Sequence, residues 1–113
     1  MYTYKAEITK VIDTDTLDLT IDLGFTVFTK IRIRLARIDA YETRLGRDTT
    51  EEMKIKGLEA KQVVKDLAKT AQEVIITTTK TGKYGRWIAE LSLDGVNLSD
   101  FLLKAGYAVE KSY

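Results

Sequence analysis

The 113-residue chain contains no cysteine and no histidine. Without cysteine there is no disulfide, no thiolate zinc knuckle and no thiol nucleophile. Without histidine there is no imidazole base, no Ser-His-Asp triad and no imidazole-ligated metal. No apolar run approaches the roughly 20 residues that cross a bilayer. The opening segment Met1-Tyr2-Thr3-Tyr4-Lys5-Ala6-Glu7 lacks the apolar core of a signal peptide. The chain as given therefore reads as cytoplasmic, or as the trimmed mature form of a secreted protein. A strong charge of one sign is also missing: 18 Lys and Arg stand against 17 Asp and Glu, for a net charge of +1. Any nucleic-acid site must then be a local patch and not a global field.

What remains for chemistry is Asp, Glu, Arg, Lys and Tyr. Such a set holds an oxygen-liganded Ca²⁺ or Mg²⁺ in preference to softer metals. With 44% hydrophobic and 31% charged residues, the composition is that of an ordinary globule. The length suits one domain spanning residues 1–113. The arginines are unevenly spread, with Arg32, Arg34, Arg37, Arg44 and Arg47 crowded together.

Hydrophobic alternation predicts a first strand from Lys5 through Ile12 and a second over Leu17–Ile21. A third runs from Phe25 to Leu35 after a turn at Leu23-Gly24. Thr49 and Glu52 form a capping box for a helix with Leu58, Ala60, Val63, Val64, Leu67 and Ala68 on its apolar face. Gly57 interrupts that helix and marks a close backbone approach. Glu73–Thr79 and Trp87–Leu93 read as fourth and fifth strands, with Trp87 packing in the apolar pattern. Asp94-Gly95 is a turn, and Asn97 caps a short helix that ends at Gly106. Five short strands with a helix between the third and fourth is the order of a β-rich α+β OB-fold, a five-stranded Greek-key barrel with a short C-terminal helix.

Charged residues gather at three junctions of this order. Asp13-Thr14-Asp15-Thr16 lies between the first two strands. Arg34 with Asp39-Ala40-Tyr41-Glu42 closes the third, and Lys83-Tyr84-Gly85-Arg86 precedes the fifth. Carboxylates can hold a hard cation while guanidinium groups take phosphoryl oxygens in a bidentate fork. Two simpler motifs fail. An EF-hand starting at Asp13 would need glycine where Asp18 stands and glutamate where Gly24 stands. A P-loop at Gly82-Lys83 lacks its preceding glycine and its Ser or Thr.

In this order, Ile12-Asp13-Thr14-Asp15-Thr16, Arg34-Leu35-Ala36-Arg37-Ile38-Asp39-Ala40-Tyr41-Glu42, Gly57-Leu58-Glu59-Ala60 and Lys83-Tyr84-Gly85-Arg86 resemble the motifs of the thermonuclease, or staphylococcal-nuclease-like, family. The resemblance implies a Ca²⁺-dependent nuclease acting on DNA and RNA, favouring single-stranded or breathing substrates and leaving 3′-phosphates. By the same resemblance, Asp15, Asp39 and the Ala40 backbone carbonyl ligate calcium, with Asp13 supporting them from behind. Glu42 activates or orients the attacking water. Arg34 and Arg86 hold the scissile phosphate. Lys83 and Tyr84 contact a terminal phosphate, and Tyr113 falls near the position of a base-stacking aromatic. Two residues depart from the pattern: Thr14 replaces a glycine, and Tyr41 replaces a proline. The family's third helix is absent, so the expected monomer has a homodimer as its alternative. The competing function is a nucleic-acid-binding module without turnover.

Overall fold

A computed structural model describes residues 2–40, 51–81 and 87–111. The strands are β1 (Tyr2–Asp13), β2 (Thr16–Asp22), β3 (Phe28–Leu35), β4 (Ile38–Ala40), β5 (Val74–Thr81), β6 (Trp87–Leu93), β7 (Val96–Asn97) and β8 (Ala108–Glu110). Helix α1 (Glu51–Thr70) lies between β4 and β5, and α2 (Leu98–Lys104) follows β7. The main sheet runs β3-β2-β1-β5-β6-β7, and a parallel pairing of β3 with β6 joins its ends. The five longer strands thus form a closed mixed barrel with two helices, an OB-fold. Closure is made by Ile33–Leu35 pairing with Trp87–Ala89, which covers part of the sheet edge.

Alternation builds this barrel. Leu17, Leu19 and Ile21 of β2 and Ile33 and Leu35 of β3 point into a core completed by Ile76, Ala89 and Leu91. Helix α1 adds Ala60 and Val64 to the buried residues, and α2 adds Leu98 and Leu102. Apolar burial of this kind contributes about 25 cal/mol per Å² removed from water. No helix among the described residues is long and apolar enough to cross a membrane.

Local chemistry sets the ends of the elements. Asn97 caps α2 by accepting from the Asp100 backbone N–H at 3.0 Å. Gly106 adopts φ +80° just beyond the cap, the left-handed turn that glycine takes without steric cost. Asp94 and Gly95 also have positive φ, which suits the tight hairpin between β6 and β7.

Several expectations need correction. The third strand begins at Phe28, not Phe25, because Gly24, Phe25 and Thr26 all have positive φ. Three successive left-handed residues make a turn, closed by Leu23 N–H to Val27 O at 2.9 Å, and Phe25 is 99% exposed. Leu58 leaves the buried face of α1, whose buried residues are Gly57, Ala60 and Val64. Trp87 starts β6 on the outward side and is 40% exposed, so it is only partly packed. The short strands β4, β7 and β8 were too brief for alternation to register. The expected cap at Thr49 lies outside the described residues.

Candidate metal and phosphate site

The turn between β1 and β2 and the end of β3 meet at one pole of the barrel. Thr16 pairs with Arg34 across β2 and β3, and Leu35 donates its backbone N–H to the Asp15 carbonyl at 2.9 Å. Asp13 tightens the turn by accepting from the Thr14 backbone N–H at 3.0 Å. Thr14 has no positive φ, so replacing glycine here introduces no left-handed strain. Its side chain is fully buried, and its hydroxyl donates to the Gly57 carbonyl at 3.4 Å. This bond links α1, at the buried Gly57, to the Asp13–Asp15 turn.

Asp39 reaches the same place by a different route. After β3 the chain reverses at Ala36-Arg37, with Arg37 at φ +68°. Ala36 donates its N–H to Ala89 O, the buried Ser99 hydroxyl donates to Ala36 O, and Lys111 N–H donates to Arg37 O, each at 2.9 Å. The reversed segment becomes β4, which pairs with β8 so that Asp39 faces Val109. The Arg37 guanidinium braces this corner. It donates to both carboxylate oxygens of Glu90 at 2.9 and 3.0 Å and to Asn97 Oδ1 at 3.3 Å. It also pairs with Asp100 at 2.9 Å. Arg37, about half exposed, is thus paired with two acids and an amide.

Arg34 Nη2 stands between the two aspartates, 3.3 Å from Asp15 Oδ2 and 2.9 Å from Asp39 Oδ1. Asp15 Oδ2 also accepts the Ala40 N–H at 3.2 Å, and Asp15 Oδ1 accepts the Thr16 hydroxyl at 3.3 Å. Lys111 Nζ lies 3.7 Å from Asp39 Oδ2. Burial pushes the Asp15 carboxyl above its ordinary range. Arg34 and the Ala40 N–H pull it back, while Asp13 and Asp39 push it further up. At Asp15, burial thus outweighs the attraction of Arg34.

Asp13, Asp15, Arg34, Asp39 and Ala40 are thus brought together. Glu42, Lys83, Tyr84, Arg86 and Tyr113 lie outside the described residues. Sequence reasoning missed Thr16 and Lys111, which touch Asp15 and Asp39. Thr16 carried a signal, since a hydroxyl beside an inward aspartate often bonds locally. Lys111 carried none, because its approach depends on β8.

The donors fit a hard divalent cation. Two carboxylates converge within 3.3 Å of one nitrogen, and the Ala40 backbone sits against one of them. The carboxylate oxygens are ligands of the type Ca²⁺ takes, whereas Ala40 meets Asp15 through its N–H. No group of three or more acidic side chains that could hold a metal occurs among the described residues. Carbonyl, water and substrate oxygens must then fill the remaining positions.

No curated protein sequence matches the chain. The family model described as staphylococcal nuclease homologue matches residues 32–113. That stretch includes Arg34, Asp39 and Ala40, while Asp13 and Asp15 precede it. The chain belongs to the staphylococcal nuclease homologue family, which supports a nuclease-type or nucleic-acid-binding role.

Proposed function

We propose that this chain is a calcium-dependent phosphodiesterase that hydrolyses single-stranded or breathing DNA and RNA to 3′-phosphate products. The observation carrying this reading is the convergence of Asp15 and Asp39 on Arg34. A metal-ligating pair and a phosphate-binding cation then share one partly buried site. Asp15, Asp39 and the Ala40 carbonyl would hold calcium, which when bound supplies Lewis acidity at a phosphoryl oxygen and a more acidic water. Asp13 keeps the β1–β2 turn in shape and so keeps Asp15 aimed.

Arg34 offers five N–H donors in a planar fork, suited to the non-bridging oxygens of a phosphodiester. Arg86, at the family's second arginine position, adds a further cation where charge builds in the transition state. Glu42 orients the attacking water or accepts its proton, its ordinary pKa of about 4.3 making it a weak base. The water oxygen bonds to phosphorus, the bond to the 5′ oxygen breaks, and that oxygen leaves with a proton. Lys83 and Tyr84 hold a terminal phosphate, and Tyr113 stacks on a base.

A second reading, a binding module without turnover, is favoured by one feature. Arg34 is engaged by both carboxylates, so a phosphate must compete for it. Cleavage of single-stranded DNA and RNA in Ca²⁺, in Mg²⁺ and in chelator, alongside Arg86→Ala, separates the two. Calcium-dependent cleavage that Arg86→Ala abolishes supports the enzyme. Salt-sensitive binding without cleavage selects the module instead.

A further inference from the structure

We infer that the outward face of β3 extends from Arg34 as a binding track for a single nucleic-acid strand, with Phe28 as a base-stacking platform. This rests on the nucleic-acid reading of the Arg34 site and extends it to residues beyond that site.

Alternation along β3 puts Phe28, Lys30, Arg32 and Arg34 on one side, while Ile33 and Leu35 are buried on the other. Neighbours in this row stand two strand residues apart, roughly 6.5 Å. That spacing keeps step with successive phosphates of an extended single strand. Phe28 is 60% exposed, and it lies in line with the cations. Every base offers a π face to such a ring, so this pairing binds strands without reading sequence.

The row does not stand alone. An open groove of about 390 Å³ is lined by Lys30, Arg32 and Asp18 and reaches Thr9. A second, of about 200 Å³, begins at Thr9 and is lined by Lys10 on β1 and Lys65 and Lys69 on α1. Five cations and one acid therefore border two grooves that share Thr9, in a chain whose total is 18 against 17. The acid is already answered: Asp18 accepts from Arg32 Nε at 2.7 Å and Nη2 at 3.2 Å. Two N–H groups are so used, and guanidinium has five. Glu7, which shares a cross-strand row with Thr20 and Lys30, and Asp22, in the row of Phe28, mark the end of the track near the hairpin. A strand leaving Arg34 would pass Arg32 and Lys30 to Phe28, with Lys10, Lys65 and Lys69 adding positive potential alongside.

The test compares binding of a 20-residue and a four-residue oligothymidylate, by fluorescence anisotropy across a salt series in chelator. The proteins are wild type, Phe28→Ala, Lys30→Ala and Lys65→Ala/Lys69→Ala, each checked for folding by circular dichroism. Wild type should bind the longer oligomer at least about tenfold tighter. Each removed lysine should lower the log–log salt slope by about 0.7. Phe28→Ala should weaken the longer oligomer by about fivefold or more. Tight binding that no variant alters overturns the track and leaves the nuclease reading standing. The predicted binding with no calcium-dependent cleavage upholds the track and overturns the nuclease. No oligomer binding, with capture on anionic phospholipid vesicles, overturns both.

Discussion

Arg34 and Arg37 stand three residues apart, and each is held by two carboxylates, yet their surroundings differ. Arg37 lies at an exposed corner, where Glu90 grips it in a bidentate pair and Asp100 and Asn97 complete the cluster. Its hydrogen bonds to Glu90 and Asp100 hold its pKa above the ordinary guanidinium value. Beside Arg34, Asp15 is pushed towards its neutral form by burial. The Arg37 cluster is an exposed brace in which one cation meets two acids. The Arg34 cluster is set apart by burial, which disfavours the charged form of Asp15 and which a bound cation would offset. The same residue types thus stand in two settings, and the burial of Asp15, not the count of charges, tells them apart.

The largest effect that would break this contrast is at Arg34. Arg34→Ala should lower turnover by about 10²–10³-fold, the usual cost of removing one preorganised transition-state donor. It should also leave Asp15 buried without its cation, so the variant's thermal midpoint should rise more on adding calcium than that of wild type. Steady-state kinetics and calorimetric scans with and without chelator check both parts.

Arg37 should show the opposite profile. Arg37→Ala should destabilise the fold by about 1–2 kcal/mol, the upper end for a partly exposed bidentate network. Arg37→Gly loses the same pairs but relieves the left-handed φ, a gain of roughly 1 kcal/mol. The glycine variant should therefore be the more stable of the two in urea unfolding. Equal stability would mean the turn at Arg37 carries no strain.

Asp15→Asn sharpens the contrast by removing the stressed charge. A carboxylate whose folded pKa is raised binds its proton more tightly when folded. Wild-type stability then falls as pH rises from the ordinary value of 3.8 through the raised one. In chelator, Asp15→Asn should match wild type below that window and exceed it in thermal midpoint above it, while losing calcium stabilisation. A lower midpoint at neutral pH would show that the bonds to Arg34 and Ala40 outweigh the burial.

The smallest effect is at Asp18, whose pKa is lowered by its hydrogen bond to Arg32 at the surface. Here the sign reverses: the pair helps above pH 3.8, and the help is lost as pH falls through the lowered value. Asp18→Asn should shift the midpoint only slightly, and only in low salt.

The barrel was legible because its long strands alternate cleanly. Leu17, Leu19 and Ile21 are buried as their pattern demands, and β6 spans Trp87–Leu93 as read. Trp87 was misjudged because it starts β6, where one face is still open. Phe25 was misjudged because an apolar residue after a glycine looks like strand, whereas its φ of 54° makes it turn. At the site, residue types in order sufficed to bring Asp13, Asp15, Arg34 and Asp39 together. The bond from Thr14 to Gly57 was not legible, because it links residues far apart in sequence. Neither were the β4–β8 pairing and the brace at Arg37, which arise from three-residue strands and a single left-handed residue. Such short elements leave no periodic trace.

Calorimetric titration of Ca²⁺ into wild type, Asp15→Asn and Asp39→Asn tests the proposed site most directly. One calcium per chain in the wild type, lost or weakened at least about tenfold in both variants, is the expected result. Calcium binding unaffected by either substitution, or none in the wild type with an oligonucleotide present, would contradict it.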